Sequence, residues 1–301
     1  MTVTALAPAK INLHLAVGPV RADGFHDLAT LYQAVALADE VTASATAGAD
    51  VTVRVDGAAG SPLDATNLAV RAALLLREHA DLPRAGVDLV LHKQIPVAGG
   101  MAGGSADAAA ALLACDALWG CGLSQADLMA LGARLGSDVP FALAGGTAVG
   151  TGRGEVVTPV APGPDLVWVA ATSARGLSTP EVYAALDRDR ESAPVPAPTV
   201  PDGLVTALEE DRAGLVTALS GFARNDLQAP ALVLRPELAA VLTTGREAGA
   251  LYSTVSGSGP TTLFLADPDN ADRLAGVLAA APEVDGVHVL AGPVPGATLV
   301  S

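Results

Sequence analysis

The strongest chemical signal in this chain is a run holding four glycines within six positions, Gly99, Gly100, Gly103 and Gly104. They lie in the stretch Pro96, Val97, Ala98, Gly99, Gly100, Met101, Ala102, Gly103, Gly104, Ser105, Ala106. Without Cβ atoms, successive N–H groups can turn into one concave space. Ser105 then opens an alanine-rich run to Trp119 that reads as a helix, whose first amides and positive dipole end add donors. Such a surface suits phosphate. A P-loop would need a lysine between its last glycine and the serine, and Ser105 follows Gly104 directly. A dinucleotide fingerprint needs G-x-G-x-x-G after a strand, and neither 99–104 nor 150–154 has that spacing. A flexible turn with a glycine cap is the bland alternative, but it rarely needs so many glycines. The chain is therefore read as handling a nucleotide. A second glycine turn, Ser256-Gly-Ser-Gly-Pro260, either lets backbone approach a substrate phosphate or is a simple β-turn.

Alternating strands and helices must position these residues. Val3 to Val17 reads as one or two strands broken at Pro8, Val51 to Val55 as a strand, and Asn67 to His79 as a helix. Val87 to His92 is a strand that feeds the glycine loop. Ser124-Gln-Ala-Asp127 is a capping-box start for a further helix, and Ser178-Thr-Pro-Glu181 is another helix start. Val167 to Ala171 is a buried-strand candidate. The proline-dense residues 193–203 read as a surface connection in a segment, 190–203, open to movement. Helices are predicted near 204–220, 225–234, 236–248 and 269–281, and a strand at 286–290. The pattern is α+β, with a first part over 1–155 and a second over 156–301.

Composition narrows the partners. The net charge is −15, with 32 acidic against 17 basic residues among 301. That balance disfavours nucleic acid and anionic membrane as partners, since both attract basic surface. An anionic substrate must then be met by local donors. No apolar run reaches the roughly 20 residues that cross a bilayer, and no basic-then-apolar leader is visible, so a cytoplasmic location is expected. Cys115 and Cys121 fit neither metal nor redox spacing, and His14, His79, His92 and His288 lack ligating companions.

Three segments occur in order: Pro8-Ala-Lys-Ile-Asn-Leu13, the glycine loop, and Val255-Ser-Gly-Ser-Gly-Pro260. Together they resemble the motifs of the GHMP small-molecule kinases. Arg21-Ala-Asp-Gly-Phe-His26, Lys93-Gln-Ile-Pro96, Leu135-Gly-Ser-Asp-Val-Pro140 and Gly150-Thr-Gly-Arg-Gly-Glu155 are similar to one branch. That branch phosphorylates the 2-hydroxyl of 4-diphosphocytidyl-2-C-methyl-D-erythritol in non-mevalonate isoprenoid precursor synthesis, and the loop is similar to actinobacterial members. The resemblance implies a ribosomal S5-like first part, a ferredoxin-like second part and a cleft between them. It implies ATP and Mg2+, and a monomer or weak homodimer. A catalytic aspartate falls on Asp138, with a turn or helix cap as its alternative, and Lys10 is its partner. Ser105 faces the metal, caps its helix, or does both. Asn67 and Lys93 fall near the adenosine half, where one equally caps a helix and the other equally lies solvated. For the substrate, Asn12, Phe25, His26, Tyr32, Tyr183, Gly257, Ser258 and Gly259 are implied, with Phe25 as the stacking face and His26 reading the base edge. Phe25 and Tyr183 are equally candidates for core anchors. A nucleotide-binding regulator without turnover is the competing reading, and the presence of both Lys10 and Asp138 weighs against it.

Overall fold

A long antiparallel hairpin carries most of the site. β1 (Thr2–Val20) and β2 (His26–Ala45) pair from Thr2↔Ser44 to Val20↔His26. Pro8 does not end β1; the register shifts between Pro8 and Ala9 and the strand continues. A bulge of this kind lets the ladder resume past a residue that has no N–H to donate. Next along the chain are β3 (Val51–Gly57), α1 (Leu68–His79), β4 (Val87–Lys93), α2 (Gly103–Trp119), α3 (Gln125–Leu135), α4 (Val139–Ala144), β5 (Thr147–Thr151) and β6 (Val156–Pro159). The second half holds β7 (Leu166–Thr172), α5 (Thr179–Arg190), α6 (Asp202–Thr206), α7 (Arg212–Phe222), α8 (Gln228–Leu234) and α9 (Glu237–Glu247). It ends with β8 (Tyr252–Val255), β9 (Thr262–Ala266), α10 (Ala271–Ala279), β10 (Gly286–Gly292) and β11 (Thr298–Leu299). This computed structural model describes residues 1–57, 61–191 and 194–300.

Two sheets organise these elements. The larger runs β11-β1-β2-β4-β3, with β5 on β2 and β6 on β5, and β3 and β4 are parallel. The smaller runs β10-β7-β9-β8, antiparallel throughout. β6 and β11 thus extend the first sheet to residues beyond 155. The α+β organisation is the one expected.

Helix α2 is the centre of the first core. Ala106, Ala108, Ala109, Ala110, Ala111, Leu112, Ala114 and Cys115 are all fully buried, so apolar residues reach the interior around most of its circumference, interrupted by the buried Asp107 and Asp116. A helix like this belongs in an interior, and methyl side chains let sheet and helices approach closely. The same core takes in Trp168, Leu263, Leu265 and Leu290 from the smaller sheet, so apolar packing runs unbroken between the two sheets. Trp168 Nε1 also donates to Gln33 Oε1 of β2 at 3.0 Å.

Several elements differ from expectation for local reasons. The helix after the loop begins at Gly103, two residues before Ser105, and its N-cap is Ala102 at φ 59°. The predicted helix over 204–220 is divided: Asp211 accepts the Gly214 amide and starts α7 afresh. Residues 192 and 193 of the proline-dense connection lie outside the described residues. Its later part docks on β1, where Thr199 O bonds His14 Nε2 at 3.1 Å and Val200 packs on the core.

Candidate active site

The glycine loop is clamped from three directions. Asp39 Oδ1 accepts the Gln94 and Ile95 amides at 2.7 and 2.8 Å, fixing the exit from β4. Gly100 has φ +77°, and a Cβ there would collide with Ser256 O and stand 3.0 Å from Gly259 O. Only glycine lets the loop approach the 256–260 turn so closely, and Ser256 Oγ donates to Gly100 O at 3.0 Å. Met101 points the other way: its side chain is fully buried and its carbonyl accepts the Lys10 N–H at 3.2 Å. Ala106 is likewise buried. The Ser105 amide bonds back to Ala102 O at 3.0 Å, which rules out Ser105 as the N-cap. The first helical amides, at Gly103 and Gly104, have no acceptor within the helix and both residues border the cavity.

Lys10 and Asp138 meet. Lys10 Nζ lies 3.8 Å from Asp138 Oδ2 and donates to Asn12 Oδ1 at 2.9 Å. Asn12 Nδ2 in turn donates to Thr30 Oγ1 at 2.8 Å, so Asn12 holds the lysine in place. Asp138 occupies the N-cap position of α4 but makes no side-chain cap bond, so its carboxylate is free for other work. The Tyr32 hydroxyl donates to Asp138 Oδ1 at 3.0 Å. Tyr32 is 2% exposed and stacks on Phe141 with ring centroids 4.8 Å apart. Burial first, then the Asp138 charge, pushes its pKa well above the usual phenol value, so it stays a donor. Tyr32 lines the cavity as expected, and its hydroxyl is at the same time bonded to the carboxylate while its ring packs on Phe141.

A second cluster stands across the opening. Phe25 is 52% exposed, with the Arg153 guanidinium 5.1 Å over its ring. His26 is buried and packs on Tyr183, ring centroids 4.9 Å apart, and its Nε2 lies 2.8 Å from Asp187 Oδ1. Phe25 is therefore not a core anchor. Gly257 and Ser258 edge the same cavity; the Gly257 carbonyl accepts from Asn225 Nδ2 at 2.8 Å and Ser258 Oγ bonds Thr179 Oγ1 at 2.7 Å.

At the far end the alternatives for Asn67 and Lys93 separate. Asn67 Oδ1 caps α1 by accepting the Ala69 amide at 2.9 Å, while Nδ2 donates to Pro62 O at 2.7 Å. Lys93 is not solvated. Its side chain is 2% exposed and sits between Asp39 and Asp107, 2.7 Å from Asp107 Oδ2. Burial, opposed by Lys93 and reinforced by the Asp39 charge, raises the Asp107 pKa to about 7.

One cavity of about 890 Å³ joins these groups. Lys10, Asn12, Asp138, Phe25, His26 and Tyr183 line it, and so do Asn67, Lys93 and the loop from Pro96 to Gly104 apart from Met101. Met101, Ser105, Ala106 and Gly259 do not. Sequence reasoning missed Asp187, Arg153, Asp39 and Asp107. Asp187 had a signal, standing one helical turn after Tyr183; Asp39 had none, because long-range pairing brings it to Lys93.

The models of the GHMP kinases N terminal domain and of the GHMP kinases C terminal region match residues 67–146 and 204–283. The chain belongs to the GHMP kinase family. Kinases of this family take their phosphoryl group from ATP, which is what a cavity floored by backbone amides suits. This GHMP kinase is 51% identical over 304 residues to the 4-diphosphocytidyl-2-C-methyl-D-erythritol kinase of Streptomyces coelicolor, covering 100% of each chain. It is 54% identical to the enzyme of that name from a Nocardioides species, over 98% of this chain and 99% of the relative. A solved 4-(cytidine 5'-diphospho)-2C-methyl-D-erythritol kinase superposes with a TM-score of 0.73 at 34% identity, covering 96% and 98% of the two chains. Among the described residues no helix is long and apolar enough to cross a membrane.

Proposed function

We propose that this kinase transfers the γ-phosphoryl group of ATP to the 2-hydroxyl of 4-diphosphocytidyl-2-C-methyl-D-erythritol. The reading is supported by the full-length relatives, and the observation that carries it is the approach of Lys10 Nζ to Asp138 Oδ2 at 3.8 Å on the wall of the glycine-loop cavity. A loose phosphoryl-transfer transition state demands positioning and charge neutralisation more than covalent help. The amides of the loop receive the nucleotide phosphates. Asp138 takes the proton of the attacking hydroxyl as its oxygen bonds to the γ-phosphorus and ADP departs. Lys10 neutralises charge on the incoming oxygen and phosphoryl group. Phe25 and Tyr183 flank the base, and His26 reads its edge.

Mg2+ belongs to the same proposal. No trio of His, Cys, Asp or Glu stands at ligating geometry among the described residues. That donor set fits an ion held by phosphate oxygens and water, since Mg2+ uses few protein ligands. Ser105 is the side chain the family resemblance assigns to it; its hydroxyl lies beside Gly136 in the turn leading to Asp138, behind the residues that line the cavity. Bound there, the ion would offset phosphate charge. A cytoplasmic monomer or weak homodimer, divided into two parts near residue 155, completes the reading.

ADP release with the cytidine substrate, against homoserine and mevalonate, tests it. Turnover should require the cytidine compound, and Asp138→Asn should abolish turnover while ATP binding stays within about twofold. Activity on homoserine or mevalonate alone would overturn the substrate, and a near-normal rate in Asp138→Asn would overturn the base.

A further inference from the structure

The contact between His26 and Asp187 carries more than support for a ring. Asp187 follows Tyr183 by four residues on α5, so both project from one helix face toward His26. Tyr183 packs on the imidazole and Asp187 Oδ1 lies 2.8 Å from Nε2. An ionised carboxylate only accepts, so Nε2 must carry the hydrogen. In the neutral ring Nδ1 then holds a lone pair, and among the described residues it makes no hydrogen bond. His26 is nearly buried and lines the cavity, so its unpartnered nitrogen is available only to an occupant of that cavity.

The geometry points to Asp187 as the positioning residue that makes this site select an amino-bearing pyrimidine over an oxo-bearing one. It does so by locking His26 in the tautomer with hydrogen on Nε2 and acceptor capacity on Nδ1. An exocyclic amine, as on cytosine, donates to such a nitrogen. A carbonyl at the same place, as on uracil, opposes lone pair to lone pair and leaves the nitrogen of a nearly buried ring unpaired, which costs the binding that an amine gains. This rests on the proposed cytidine substrate and names what enforces it.

The test pairs a spectroscopic readout with a kinetic one. Nitrogen-15 NMR of the histidine rings in the free enzyme at about pH 8 should show His26 protonated on Nε2. Asp187→Asn can offer an N–H to Nε2 and so releases or reverses the tautomer. It should reduce the kcat/KM preference for the cytidine substrate over its uridine counterpart by about tenfold or more, with the KM for ATP unchanged. Asp187→Ala should lose the preference as well, and thermal melts confirm that both variants fold. An Nδ1-protonated His26 in the native enzyme, or an unchanged preference in Asp187→Asn, overturns the inference. An enzyme that uses neither nucleotide form overturns the substrate reading, and the tautomer readout still decides the role of Asp187.

Discussion

Asp138 presents two unlike oxygens. Oδ1 accepts a hydrogen bond from a buried neutral phenol and Oδ2 faces an ammonium at 3.8 Å. The phenol fixes the plane of the carboxylate without cancelling its charge, so Oδ2 stays available to a substrate hydroxyl. Tyr32→Phe keeps the ring that stacks on Phe141 and removes only that bond. The expected outcome is a kcat about tenfold lower with both KM values within twofold, read from steady-state assays. A rise in the KM for the cytidine substrate alone would assign Tyr32 to substrate binding and not to Asp138. The residue types at Lys10, Asp138 and the loop were legible from sequence because each sits in a short motif. The Tyr32 bond was not, since 106 positions separate its partners and only the β2–β5 pairing and the packing of Phe141 on Tyr32 bring the start of α4 to β2.

At the scale of elements, the Lys93 cluster ties the end of β4 to β2 through Asp39 and to α2 through Asp107. Two carboxylates share one amine there, and Asp107 Oδ1 is buried without a partner. An acid whose folded pKa is about 7, above the roughly 3.9 of an unfolded aspartate, binds its proton more tightly in the native state. Its stabilising contribution is present in full below about pH 4 and is lost as pH rises through 7. Asp107→Asn cannot ionise. It should exceed the native protein in urea midpoint at pH 8, and the advantage should vanish near pH 4. An equal gain at both pH values would assign the effect to packing. Most helices and strands were readable from periodicity and caps, as Ser124 with Asp127 demonstrates through a reciprocal capping box. Strand β2 was not: from Ala29 to Val35 burial is continuous, because sheet and helix cover both faces and erase the alternation that marks a strand, and only from Ala36 to Ser44 does the alternation return. The α2 start was misplaced by two residues because an alanine in left-handed conformation, not the serine, caps it.

For the whole molecule, a charge of −15 surrounds a cavity built to receive two polyanions. The long-range field opposes their approach, and short-range amides with Lys10 and Arg153 reverse it locally. Raising inert salt from about 10 mM to about 150 mM shortens the screening length from roughly 30 Å to 8 Å. It should therefore increase kcat/KM for ATP, the opposite of an enzyme that steers its substrate electrostatically. A decrease would mean that attraction by the local donors dominates the encounter as well as the bound state.

The unbroken apolar packing from α2 to Trp168, sealed by the indole bond to Gln33, has a mechanical corollary. A hinge there would have to expose a tryptophan and several leucines to water, at about 25 cal/mol per Å². The cavity should thus behave as a fixed aperture, and loading both substrates should leave the small-angle scattering radius unaltered. A contraction on loading would reveal a jaw where the packing describes a mould.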